Sequence, residues 1–100
     1  MTDIFQELRD QFSDADFLKL SDTSKYRIQA AADFAKGVIE HWEEMDDDKR
    51  AKRAKHLDAQ AAGLRSIITS KTANTLDEIF WNAIRAAAGD NVFTAIKALI

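Results

Sequence analysis

Apolar residues recur along this chain at intervals of three and four, a rhythm that predicts amphipathic helices rather than strands. The clearest stretch follows Ser21-Asp22-Thr23-Ser24, where Ile28, Ala31, Ala35, Val38, Trp42 and Met45 step without a miss and predict a long helix over 25–45. Ala54, Leu57, Ala61, Leu64 and Ile68 keep the same rhythm and predict a second helix over 48–69. Between them stand Asp46, Asp47 and Asp48, poor helix formers that cap and stabilise the positive end of a following helix. If the chain folds back there, layer partners should carry numbers with a constant sum. Trp42 with Ala54, Val38 with Leu57, Ala35 with Ala61, Ala31 with Leu64 and Ile28 with Ile68 give about 96, which centres the reversal on Asp48. Large residues mostly face small ones, as interdigitating cores require, and the Ala35 and Ala61 layer allows close backbone approach. The competing arrangement is one unbroken helix through 25–69 pairing with a second chain. No glycine enforces the bend, and Asp46 to Arg50 or Asp48 to Lys52 could bridge within such a helix.

Shorter elements flank this pair. Thr2 or Asp3 caps a first helix carrying Ile4, Phe5, Leu8 and Phe12, and Ser13 with Asp16 opens a brief second one with Phe17, Leu18 and Leu20. Thr75 with Glu78 forms a capping box ahead of Leu76, Ile79, Phe80, Ala83, Ile84 and Ala87. Gly89 suits the exit from that helix, Asp90 the start of the last, in which Val92, Phe93, Ile96, Leu99 and Ile100 are apolar. The expected fold is all-α: a single-domain helical bundle over 1–100, of about five to six helices built on a long antiparallel hairpin.

Composition sharpens this. With no proline and only three glycines, the chain lacks the turn residues that an all-β domain needs. The absence of cysteine excludes disulfides, thiolate nucleophiles and thiolate-bound metals, and fits a reducing, cytoplasmic setting. Residues 1–10 show no basic start followed by an apolar run, and no segment is apolar enough to span a bilayer, so no membrane partner is expected. A net charge of −3 argues against nucleic-acid binding by bulk charge.

Few residues offer chemistry. In the expected register His41 and His56 approach one another beside Glu44, a conceivable two-histidine, one-carboxylate metal site. Val38 and Arg53 occupy the positions where a Glu-x-x-His pattern needs its acids, so no metal and no cofactor is assigned. Ser66, Thr69, Ser70, Thr72 and Thr75 read as caps and turns, since no paired histidine activates a hydroxyl. No phosphate loop, calcium loop or zinc-protease string occurs, and no enzymatic activity is expected.

The charged tip and one tryptophan remain. Asp46, Asp47 and Asp48 run into Lys49, Arg50, Lys52, Arg53 and Lys55, of which Lys49, Lys52 and Lys55 should point outward as a basic stripe. The stripe could meet phosphates, but no aromatic residue interleaves it, so nucleic acid is not the favoured partner. Trp81 lies off the buried stripe of its helix, with Arg85 one turn later. Together they form a binding hot spot, or Trp81 covers the next helix. In overall character, a short, acidic, cysteine-free helical chain resembles the small inhibitors that phages encode, anti-CRISPR proteins among them. The likeness is one of size and composition and assigns no residue. The expected function is therefore a noncatalytic protein-binding module, monomeric or homodimeric, that docks on and regulates or inhibits a larger protein or protein–nucleic acid complex. The alternatives are a self-assembling helical subunit and a nucleic-acid binder acting through the Lys49 to Lys55 stripe.

Overall fold

The computed structural model describes residues 3–67, 69 and 75–100. Among them the chain forms α1 (Ile4–Asp10), α2 (Asp14–Lys19), α3 (Asp22–His41), a 3-10 turn (Trp42–Glu44), α4 (Asp47–Gly63), α5 (Leu76–Ala88) and α6 (Asp90–Ala98). The all-α hairpin bundle expected from the periodicity is the observed fold.

The starts of four helices follow from single side chains. Asp3, Ser13, Ser21 and Asp46 each lie in extended backbone and accept an N–H from three residues on, satisfying one of the donors that a helix start leaves bare. The capping box expected at Thr75 does not form. The hydroxyl of Thr75 turns to the Asp77 carboxylate instead of a backbone N–H. Asp90 is likewise not a cap, because Gly89 fills both junction roles, ending α5 and starting α6. Gly89 adopts φ 88 and ψ 160, a conformation in which any side chain would be strained.

The hairpin closes earlier than the constant sum places it. α3 stops at His41, the Met45 N–H reaches back to the Trp42 carbonyl at 3.3 Å, and Met45 and Asp46 are extended. Two extended residues therefore make the bend that a glycine was thought to be needed for, and Asp47 and Asp48 belong to the first turn of α4. The cross-hairpin contacts also fall below 96: Arg50 with Trp42 adds to 92, Phe34 with His56 to 90 and Phe34 with Arg53 to 87. α4 is also shorter than the expected 48–69. It ends at Gly63, and Leu64, Arg65 and Ile67 continue in tight turns whose N–H groups bond carbonyls three residues back. Of the expected layer residues, all are buried except Ile68, which lies outside the described residues, as do Thr2, Ser70 and Thr72.

Leu8, Ile28, Leu57, Leu64, Leu76, Phe80, Ile84 and Ile96 fill the core. α1 lies on α3 and α5, while α5 packs on α3, α4 and α6, so the short helices cover one side of the hairpin. α2 buries no residue fully. It is held by Arg9, which pairs with Asp14 at 2.6 Å and stacks over Phe17, and Leu18, expected in an apolar cluster, stands 73% exposed.

The passage from α4 to α5 is locked by Arg65, whose Nε donates to Asp77 at 3.1 Å, and by the Leu76 N–H, which donates to the Ile67 carbonyl at 2.8 Å. Asp77 has a side chain only 15% exposed. Burial pushes its pKa up, but the Thr75 hydroxyl, Arg65 and the Glu78 N–H outweigh that and hold it below its ordinary 3.8. A depressed folded-state pKa gives stability that is complete above the ordinary value and lost as pH falls through the folded value. Asp77→Asn should therefore lower the urea midpoint at neutral pH and flatten its decline below about pH 4 relative to the parent. An unchanged decline would show that the carboxylate contributes nothing.

Candidate functional site

The charged tip divides into residues that build the hairpin and residues left over. Arg50 is a builder: its Nε donates to the Trp42 carbonyl at 2.9 Å, its guanidinium lies 5.2 Å from the Trp42 ring, and Glu43 stands 4.0 Å away. It thereby joins the Met45 N–H on a carbonyl at the end of α3 and covers the buried indole beneath. The Asp46 to Arg50 bridge that a continuous helix would allow does not form, because Asp46 is engaged as the cap of α4 and Arg50 in this clamp. Lys52 pairs along its own helix with Asp48 at 3.2 Å, both side chains well exposed, an arrangement of small energetic value. Lys49, Lys52 and Lys55 are all exposed, as the heptad frame requires.

Arg53 leans over α3, with its guanidinium 6.0 Å from the Phe34 ring, and His56 stacks on the same ring at 4.2 Å. His41 bonds Glu44 at 2.9 Å, while His56 takes a 3.3 Å contact from Gln60. The two histidines thus belong to different neighbourhoods and not to the shared site that a sum near 97 suggested. No cluster of three potential metal ligands occurs among the described residues.

These side chains frame a groove on the open face of the hairpin. A cavity of about 560 Å³ near the tip is lined by Phe34, Gly37, Val38 and Met45 on its floor and by Asp33, His41, Glu44, Lys49 and Arg53 on its rim. A smaller one, about 210 Å³, lies along the same seam, lined by Arg27, His56, Ala59, Gln60 and Gly63. Every lining residue comes from α3, the turn or α4, so among the described residues no other helix lines this face. Sequence reading found the basic residues but not the groove, because its two walls are brought together only by the hairpin register.

Trp81 is half-buried and serves the next helix. It packs edge-on to Phe93 of α6, with ring centroids 6.4 Å apart, and Lys97 sits 4.1 Å from its ring. The expected Trp81 and Arg85 stack does not form: Arg85 pairs with Asp90 at 2.7 Å and lies 5.8 Å from the Phe93 ring. Those two residues join α5 to α6 instead of forming one exposed patch. Among the described residues the large exposed hydrophobics are Leu18, Tyr26 and Ile100, none of which sequence periodicity singles out as a surface.

Compared with known proteins, the chain matches no family model, no curated protein and no solved structure.

If Arg50 is the clamp and Lys52 only a solvated partner, Arg50→Ala should cost about 1–2 kcal/mol, since it removes one of the two hydrogen bonds to the Trp42 carbonyl and uncovers the indole. Lys52→Ala should cost no more than about 0.5 kcal/mol. Urea unfolding followed by tryptophan fluorescence measures both, and equal effects would contradict the division.

Proposed function

We propose that this chain is a noncatalytic binding module that docks on a larger protein and regulates or blocks it. The observation that carries the reading is the open hairpin face, a groove with an apolar floor and a charged rim. Such a face suits recognition, where apolar contact supplies affinity and rim charges set the partner. No serine, threonine or tyrosine is among its lining residues, and the two histidines there meet Glu44 and Gln60, so it holds no hydroxyl and histidine pair of an activated nucleophile. Occlusion of a partner surface by a small helical body is the mode of action that the likeness to phage-encoded inhibitors suggests, and it needs no chemistry beyond docking.

Tagged protein recovered from its native cells is expected to carry one other polypeptide in stoichiometric amount, resistant to nuclease, while the purified chain alone scatters light as a monomer. Recovery of the chain with itself alone would favour a structural subunit, for which exposed Leu18, Tyr26 and Ile100 are the contact residues to test. Loss of the captured partner on nuclease treatment would favour the Lys49, Lys52 and Lys55 stripe and overturn the proposal.

A further inference from the structure

We infer that α2 is a latch over Phe12: it leaves the bundle and returns as one unit, hinged at Ser13 and Leu20, and is held shut by two cations on the Phe17 ring. α2 has six residues, well below the length at which a helix persists alone in water, so its contacts must keep it wound. Those contacts are slight. Asp14, Ala15, Leu18 and Lys19 are exposed, and Phe17 and Leu20 reach the core only in part. Length alone does not mark α2 out, for α1 is hardly longer yet buries Ile4 and Leu8. Ser13 and Leu20, on either side of α2, lie in extended backbone, and a rotation at these two positions moves the helix without disturbing α1 or α3.

The ties cross from both neighbouring helices to one ring. Arg9 of α1 stacks over Phe17 at 4.2 Å, pairs with Asp14 at 2.6 Å and donates to the Phe12 carbonyl at 3.3 Å. Lys25 of α3 stands 5.5 Å from the same ring. Neither a cation on a half-exposed ring nor an exposed ion pair binds strongly, so these ties close the latch without fixing it. The Phe17 ring meets Phe12 edge-on, with centroids 6.1 Å apart, and Phe12 is buried. Departure of α2 therefore bares a core ring while α1 stays on α3 and α5. The six-residue helix unwinds as it leaves, which frees its amides to exchange with solvent.

Native-state hydrogen exchange of the whole chain, read by NMR and corrected for intrinsic rates, tests the latch. The Phe17 and Leu20 amides donate to the Ser13 and Phe17 carbonyls at 2.9 and 3.1 Å. They should exchange at least about a hundredfold faster than those of the buried Ala35 and Ile84, and with little dependence on urea, because opening exposes little surface. Arg9→Met keeps the stem and removes the guanidinium, and should speed Phe17 and Leu20 by one common factor of about five to ten. Asp14→Asn, at an exposed position that leaves the fold intact, should speed both by about twofold. Arg50→Ala loosens the hairpin, which stays folded when the latch opens. It should speed Ala35 and Ile84 by about fivefold or more and leave Phe17 and Leu20 within about twofold. If the Phe17 and Leu20 amides instead follow Ala35 and Ile84 in the Arg50 variant, α2 opens only when the whole chain unfolds and the inference is overturned. Different factors for Phe17 and Leu20, or no change in either on loss of the Arg9 guanidinium or the Asp14 charge, would overturn it equally.

Discussion

The hairpin depends on one carbonyl. When α3 stops at His41, the Trp42 carbonyl is left at a helix end in the middle of a tight turn, above an indole that is buried. Arg50, entering from the first turns of α4, donates to that carbonyl and lies over the same ring. One side chain thus adds a second hydrogen bond to the carbonyl that the Met45 N–H already meets, and supplies the cover that the tryptophan lacks. It ties α4 to the end of α3 in the register that the buried residues of both helices share farther down the seam.

The surface follows from that register. With the reversal at Met45 and Asp46, Phe34 comes opposite Arg53 and His56, and Gly37 lies where a groove opens between the walls. α1, α5 and α6 close the other side of the hairpin, so its two faces have different roles: one is core and the other is open. The tip charges divide in the same way. Asp46 caps, Arg50 clamps, Asp48 and Lys52 neutralise each other, and Lys49 and Arg53 remain at the groove. A run that looks uniform in sequence is therefore made of residues with separate physical tasks.

Much of the fold was legible from the sequence because it rests on local rules. The three-four spacing of apolar residues located the long helices, and Asp3, Ser13 and Ser21 announced three starts as side chains that accept from the next turn. The bend itself was misplaced because Met45 continues the apolar stripe in phase, and periodicity cannot register two extended residues within it. The end of α4 was overrun for the same reason: Leu64 stays in phase and buried beyond Gly63 although the helix has stopped. Helical spacing leaves Trp81 open between a patch with Arg85 and cover for the next helix, and its contacts with Phe93 and Lys97 of α6 match the second. The groove is a property of two helices in register, and no stretch of either helix alone encodes it.

The most direct measurement is the distance between spin labels at Gln29→Cys and Ala62→Cys, both exposed positions on a chain without native cysteine, diluted with unlabelled protein. A hairpin closed at Met45 and Asp46 brings the labels within about 20 Å, since packed helices lie about 8–10 Å apart. A continuous helix through the same residues would place them roughly 50 Å apart at 1.5 Å per residue, and that distance would contradict the hairpin and the open face built on it.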